Sequence, residues 1–169
     1  MLEAIKKRRS YRDFQNRPVE EEKLREVLKA AMFSPSANHL RLWEFIVVKN
    51  KETKDALAAT KQWSYFVNRA PVVIVVCSRD GKHWLEDASI AAENIYLEAT
   101  NQGLGTCFVQ IKNSQREDGS EAEAYVKRLL KIPPEIHVLC LMPLGYPQEK
   151  LSEHRDSEFE ESKIHQERW

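Results

Sequence analysis

The sequence has few residues of the kinds that form disulfides or metal sites. Its 169 residues include three cysteines and five histidines, with no CxxC and no HExxH motif. Cys77, Cys107 and Cys140 lie far apart, each within an apolar run that is typical of a strand. We therefore expect three reduced thiols in the core and no metal ion.

Long apolar runs and an excess of charge of either sign are also lacking. No run approaches the roughly 20 residues that a helix needs to cross a bilayer, and residues 1–15 lack the apolar centre of a signal peptide. Lys plus Arg (26) equals Asp plus Glu (26), so no overall field recruits nucleic acid or an anionic membrane. These features predict a cytoplasmic protein of one domain, residues 1–169.

Positive charge is nevertheless concentrated near the start of the chain, in the stretch KKRRSYRDF at residues 6–14. If the first turns are helical, Arg8 and Arg12 lie one turn apart on one face and converge on a single anion. Guanidinium groups together with the Ser10 hydroxyl suit a phosphate. On this stretch alone, a solvated basic face or a nonspecific polyanion patch is the simpler interpretation.

Periodicity and composition predict an alternation of helices and strands. Apolar residues at helical spacing indicate helices at residues 2–9, from Pro18 to about 33, and at 51–60 and 84–102, and a further helix around Tyr125–Leu130, before Pro133. β-branched and apolar runs indicate strands at residues 43–48, 70–77, 105–109 and 137–142. This order predicts a layered domain with helices packed against one sheet.

Two segments point beyond a simple monomer. The helix at residues 84–102 is apolar on most of its circumference, so either the rest of the domain or a partner subunit covers it. After Pro147 the chain is polar and charged and has no apolar core of its own. Such a tail is either disordered or laid across a second subunit.

Several landmarks, taken in order and spacing, resemble the flavin-dependent nitroreductase family almost from end to end. Each motif is weak alone, and it is their shared order that is specific. The landmarks are Arg8–Phe14, Ser34–Asn38 leading to Trp43–Val48, Ala70-Pro71 before an aliphatic strand, Asp87-Ala88, Gly103–Thr106, Leu144–Pro147 and Arg155.

The resemblance implies an α+β, nitroreductase-like three-layer fold with a central, mostly antiparallel sheet flanked by helices. It also implies a homodimer that exchanges C-terminal tails, about residues 148–169, and holds an FMN at each end of the interface. Both the apolar helix and the coreless tail would then have a place against the partner.

The resemblance also implies which residues bind the cofactor. Arg8, Arg9 and Ser10 correspond to contacts with the FMN phosphate and ribityl chain. Arg12 corresponds to a cation near the flavin pyrimidine ring, where positive charge stabilises the reduced flavin. The remaining matches are the loop that reaches the flavin from the other subunit (Pro35, Ser36, Ala37, Asn38, His39), the backbone around flavin N5 (Phe108, Val109, Gln110), the pyrimidine edge (Gln62) and the phosphate clamp (Lys150, Arg155).

Two departures from the family pattern limit what carries over. His39, Arg41 and Leu42 stand where many members have Asn, Gln and Pro. The segment between Gly105 and Pro133 is too short for the helical excursion with which larger members roof the substrate. We therefore expect an open pocket, and the resemblance does not identify the substrate.

The implied activity is that of an FMN-dependent oxidoreductase. NAD(P)H would reduce the flavin, and an electrophilic acceptor such as a nitroaromatic or a quinone would then be reduced in a ping-pong cycle. No side chain needs to act as an acid or a base, so no catalytic residue is predicted beyond the cofactor. Two alternatives stay open: another FMN chemistry such as dehalogenation, and a flavin store or redox sensor without turnover.

Overall fold

A computed structural model that describes residues 1–169 shows one five-stranded sheet in which every paired strand is antiparallel to its neighbour. The order across the sheet is β1-β2-β5-β3, and β4 pairs with β5 on the same side as β3. The strands are β1 (Trp43–Val48), β2 (Val72–Ser78), β3 (Gly105–Thr106), β4 (Val109–Gln110) and β5 (His137–Gly145).

Five α-helices flank this sheet: α1 (Glu3–Lys7), α2 (Glu21–Met32), α3 (Lys51–Ala58), α4 (Trp84–Asn101) and α5 (Ala122–Leu130). Short 3-10 segments occur at Ala37–His39, Gln62–Arg69, Asp156–Glu158 and Glu161–Lys163. None of the helices is both long and apolar enough to pass through a membrane.

Strand β2 lies at the centre, and both of its faces are covered. Val72, Ile74 and Val76 belong to a cluster that includes residues of α2 and α4, whereas Val73 and Val75 belong to a second cluster with residues of α3 and α5. All seven residues of β2 are buried, as its near-continuous apolar sequence predicts. The expected three-layer α+β fold with an antiparallel sheet is confirmed.

The cysteines lie where the sequence places them. Cys77, Cys107 and Cys140 are free and buried. Burial raises the pKa of Cys77 to about 12, so this thiol stays protonated at neutral pH and is a poor nucleophile.

Several element boundaries differ from the prediction. Helix α2 begins at Glu21 rather than near Pro18, because Glu20 is extended and its carboxylate accepts hydrogen bonds from Tyr146 Oη (2.6 Å) and Arg17 (2.9 Å). The strand predicted at residues 105–109 is divided into β3 and β4. Strand β5 continues past Met142 to Gly145, where it pairs with β3.

Helix α4 is only partly covered within one chain. Its buried face carries the small residues Ala88, Ala91 and Ala92, which allow close packing on the sheet. On the other face, Leu85 and Ile90 remain 41% and 40% exposed. Of the two expected alternatives, cover by the rest of the domain therefore accounts for only part of this helix.

We expect Leu141→Ala to lower the free energy of unfolding by about 2–5 kcal/mol, because it opens a cavity in a fully buried position of β5. The matched control is Leu2→Ala, at a residue that is 68% exposed, where a change within about 0.5 kcal/mol is expected. Urea unfolding followed by circular dichroism measures both. Equal effects in the two variants would contradict the assigned core.

Candidate functional site

The basic N-terminal segment is fixed against the edge of the sheet at β3. Ser10 forms an isolated parallel bridge with Thr106, and the Tyr11 N–H donates to the Thr106 carbonyl at 2.9 Å. Helix α1 consequently ends at Lys7, and Arg8 is already extended, with ψ of 128°. The prediction that Arg8 and Arg12 share one helical face is wrong, because the intervening residues pair with β3 instead of continuing the helix.

Arg8 and Arg9 both contact the C-terminal tail of the same chain. Arg8 Nη2 lies 3.4 Å from His154 Nε2, and Arg8 Nε lies 3.9 Å from a Glu93 carboxylate oxygen. Arg9 Nε donates to the Ser152 carbonyl at 2.6 Å, and its Nη2 lies 3.5 Å from Glu158 Oε1. About a quarter of each arginine side chain is exposed, so both can still be approached from solvent.

Tyr96, which the sequence analysis did not single out, joins three of the predicted site residues. Its hydroxyl accepts the Phe108 N–H at 2.7 Å and lies 3.0 Å from Ser10 Oγ. The Arg8 guanidinium lies 5.1 Å from the centre of its ring. Burial raises the pKa of Tyr96, so the hydroxyl keeps its proton. The available sequence signal was a tyrosine on the small, apolar face of α4, where a polar tip needs a partner.

Arg12 stands apart from the other arginines. Its guanidinium lies 5.7 Å from the centre of the Phe66 ring and forms neither a hydrogen bond nor an ion pair with another residue. Nearby, the Thr106 hydroxyl is buried without a hydrogen-bond partner. A cavity of about 300 Å³ opens here, lined by Ser10, Tyr11, Arg12, Asp13, Gln148, Glu149 and Leu151.

The loop at residues 35–39, predicted to reach the flavin, is held at a position away from the basic segment. The Ala37 N–H donates to both carboxylate oxygens of Asp87, at 3.1 and 3.2 Å, and Ser36 Oγ accepts the Arg41 N–H at 3.0 Å. The exposed residues Asn38 and His39 have positive φ angles of 51° and 55°. Pro35 is also exposed. The buried carboxylate of Asp87 thus anchors a loop whose backbone is otherwise strained.

Within one chain this loop does not meet the basic segment. Asp87, which holds the loop, and Tyr96, which holds Ser10, are nine residues apart in α4. At 1.5 Å per residue the separation along the helix is about 14 Å. The structure therefore brings Arg8, Ser10 and Phe108 together, whereas residues 35–39 lie near Asp87, toward the N-terminal end of α4.

The other predicted residues are dispersed. Val109 lies in β4 beside Gln110, whose carbonyl accepts a hydrogen bond from Lys61 Nζ at 3.0 Å. Gln62 lies in a separate cavity of about 390 Å³ with Arg116 and Asp118. Lys150 and Arg155 are exposed in the tail, and neither side chain is paired there.

Two clefts larger than the cavity at Arg12 lie elsewhere. One, of about 770 Å³, runs between α2 and β1 and is lined by Leu24, Leu28, Met32, Phe33 and Val47 among others. The second, of about 550 Å³, lies at one end of β1 and β2. Neither contains a residue of the basic segment, so the size of a cleft does not identify the site in this chain.

One carboxylate of the tail, that of Glu158, forms several hydrogen bonds next to the basic segment. Glu158 accepts from His154 Nδ1 at 2.6 Å and from the Arg155 N–H at 2.9 Å, and the His154 N–H donates to the Lys6 carbonyl. The hydrogen bond from His154, followed by that from the Arg155 backbone, lowers the pKa of Glu158 to about 2.

We expect His154→Ala to raise the pKa of Glu158 from about 2 toward its ordinary value of 4.5, because the largest stabilising contact is lost. In the wild-type protein this carboxylate favours tail attachment above pH 4.5, and the contribution is lost as pH falls toward 2. An NMR titration of the Glu158 carboxyl carbon measures the pKa of Glu158 in both proteins. His165→Ala, which removes a tail histidine next to Trp169 instead, should leave the titration unchanged; an unshifted titration in His154→Ala contradicts the assignment.

Comparison with known proteins agrees with this architecture. The sequence profile described as the Nitroreductase family matches residues 5–63 and 57–146. A relative from Methanothermobacter thermautotrophicus, provisionally named an NADH dehydrogenase/NAD(P)H nitroreductase, is 39% identical over all of this chain and 87% of its own length. An NADH dehydrogenase from Thermus thermophilus is 28% identical over 87% of this chain and 86% of its own.

A solved structure is also similar over the full length. The FMN-dependent nitroreductase from Clostridium difficile R20291 superimposes with a TM-score of 0.96 at 39% identity, and each chain is covered completely by the other. The antiparallel three-layer fold is that of the nitroreductase-fold oxidoreductases. This chain belongs to the nitroreductase family.

Proposed function

We propose that this protein is an FMN-dependent oxidoreductase that uses NAD(P)H to reduce an electrophilic acceptor such as a nitroaromatic or a quinone. The observation that carries the proposal is the convergence of Arg8, Ser10 and Phe108 on Tyr96, beside an arginine that has no partner of its own. Family membership and the FMN-dependent relative support the same cofactor.

The residues present fit a flavin that carries a phosphate. Arg8 and Arg9 are cations whose present partners are two carboxylates, a carbonyl and an imidazole. A phosphate can replace these because guanidinium groups bind it with two parallel hydrogen bonds. The Ser10 hydroxyl adds a neutral donor. Lys150 and Arg155 of the tail supply further positive charge, and Gln62 is assigned to the pyrimidine edge of the flavin.

Arg12 has a different role in the proposal. When bound, FMN supplies hydride acceptance from NAD(P)H and electron delivery to the acceptor, in alternating ping-pong order. An unpaired guanidinium near the flavin ring stabilises negative charge there, which favours the reduced cofactor. The protein's residues therefore bind, orient and tune the cofactor, and none of them is assigned as an acid, a base or a nucleophile.

A second subunit completes the site in this proposal. The loop carrying Pro35, Ser36, Ala37, Asn38 and His39 is held by Asp87, about 14 Å along α4 from Tyr96, which holds the basic segment of the same chain. In this proposal the loop therefore faces the flavin of the partner. Exposed apolar residues are consistent with a covered surface: Met32, Phe33, Leu40, Leu85 and Ile90. We propose a homodimer in which residues 148–169 extend from the single domain 1–169 onto the partner.

The alternatives differ from this proposal in testable ways. The connection between β4 and α5 covers only residues 111–121, which leaves no helical roof for a dedicated dehalogenation pocket. A flavin store or redox sensor would bind FMN without sustained NAD(P)H oxidation. A cytoplasmic location remains an expectation from the sequence.

We expect the protein, reconstituted with FMN and desalted, to retain about one flavin per chain and to oxidise NAD(P)H with a generic quinone. Arg8→Ala should weaken FMN binding about 10- to 100-fold, because a charge-assisted hydrogen bond contributes about 1.5–3 kcal/mol. Quenching of flavin fluorescence measures the dissociation constant.

The matched control is Arg79→Ala, which removes an exposed arginine that pairs with Glu44 away from the basic segment. It should bind FMN as the wild type does. A folded wild-type protein that emerges colourless refutes the cofactor assignment, and flavin retention without NAD(P)H oxidation favours the store or sensor.

We expect the wild-type protein to sediment as a dimer and Ile90→Glu to sediment as a monomer, because a buried unpaired carboxylate is costly at an apolar interface. Ala124→Glu adds the same charge to an exposed position of α5 on the other side of the sheet and should remain dimeric. Sedimentation velocity distinguishes these outcomes. A monomeric wild type that binds FMN fully would overturn the shared-site part of the proposal.

A further inference from the structure

The Tyr96 hydroxyl accepts a backbone N–H that has no partner in the sheet. Between β3 and β4 the ladder with β5 is interrupted at Cys107 and Phe108. The Phe108 N–H donates to the Tyr96 hydroxyl at 2.7 Å instead of to a strand carbonyl. Only 5% of Tyr96 is exposed, so water does not compete freely for this hydrogen bond.

The proton of the Tyr96 hydroxyl has one strong acceptor available. A tyrosine hydroxyl donates one hydrogen bond and can accept others. The Phe108 N–H is only a donor, whereas Ser10 Oγ, at 3.0 Å, can accept. The Cys107 thiol lies beside both hydroxyls, but its sulfur is a weak acceptor compared with a hydroxyl oxygen. The hydrogen bonds therefore run from the Phe108 amide to Tyr96 and from Tyr96 to Ser10.

This direction leaves the proton of Ser10 free. Apart from the weakly accepting Cys107 thiol, no other side chain competes for this proton, and Ser10 lines the cavity of about 300 Å³ together with Arg12. Because successive hydrogen bonds polarise one another, a hydroxyl that accepts from Tyr96 is a better donor to an anionic oxygen. The Tyr96 ring also lies against the Arg8 guanidinium, so the same side chain limits where Arg8 can point.

We propose that Tyr96 is a positioning residue of the cofactor site: it orients Ser10 as a donor to FMN and fixes the Phe108 backbone beside it. The inference rests on the proposed FMN binding and extends it to a residue that need not touch the cofactor.

Tyr96→Phe tests the inference because it removes only the hydroxyl. We expect FMN to bind about 5- to 30-fold more weakly, and the Phe108 amide of the FMN-free protein to exchange faster with solvent. The matched control is Tyr125→Phe, which removes a single hydrogen bond, to the Ala56 carbonyl at 3.1 Å, on the other side of the sheet. This control should leave both the FMN affinity and the Phe108 exchange unchanged.

A double-mutant cycle separates positioning from general destabilisation. If Tyr96 acts through Ser10, the double variant Tyr96→Phe, Ser10→Ala binds FMN more weakly than the wild type by a factor clearly smaller than the product of the two single factors. Independent, multiplicative effects overturn the inference. So does a Tyr96→Phe variant that binds FMN as tightly as the wild type.

Two further tests use the wild-type protein and do not depend on whether Tyr96→Phe folds. In the wild-type protein the Phe108 amide must exchange slowly although Phe108 is 36% exposed, and a freely exchanging amide overturns the inference even if Tyr96→Phe does not fold. A folded wild-type protein that binds no FMN overturns both this inference and the proposed function. Wild-type binding together with an unaffected Tyr96→Phe overturns only the inference.

Discussion

The antiparallel pairing of β2 with β5, covered on both sides, is the constraint on which the rest of the structure depends. Because β2 is buried over its whole length, its N–H and C=O groups must be satisfied by β1 and β5. Strand β5 in turn offers its other edge to the short strands β3 and β4. Ser10 and Tyr11 pair with Thr106 of β3, so the position of the basic segment follows from the order of the sheet.

Helix α4 links the two parts of the candidate site. Its alanines pack on the sheet closely enough that two polar side chains, Asp87 and Tyr96, are buried on the same helix. Each of them hydrogen-bonds to a backbone N–H of an irregular segment, at Ala37 and Phe108 respectively. A buried N–H without a partner is costly, so these contacts hold both segments at fixed positions on one rigid element.

Much of the fold could be predicted from the sequence, because β-branched runs and helical spacing report burial directly. The strands at residues 43–48 and 72–78 illustrate this. The boundaries that failed depend on contacts between distant residues. Arg8 leaves the helix because Ser10 pairs with Thr106, and the strand beginning at Gly105 is divided where Phe108 bonds to Tyr96. Local propensity contains no information about such partners.

For the candidate site, the sequence predicted the anion-binding side chains but not the residue that positions them. Arginine and serine in one short stretch indicate an anion site by their chemistry alone, and the family resemblance added the cofactor. Tyr96 could not be chosen from the sequence, because a tyrosine within an apolar helix is more often core, and only the structure shows that its hydroxyl lies at Ser10 and Phe108. Arg12 was predicted, but its lack of any partner is a property of the folded chain.

The tail shows how one set of arginines can serve two partners. In the single chain, Glu158 and the Ser152 carbonyl satisfy Arg9, and His154 approaches Arg8. The carboxylate of Glu158 is about half exposed, and an ion pair of this kind contributes little to stability. A phosphate carries more charge than one carboxylate and offers three acceptor oxygens. In the proposed function, a ligand phosphate would therefore replace tail contacts that are individually weak.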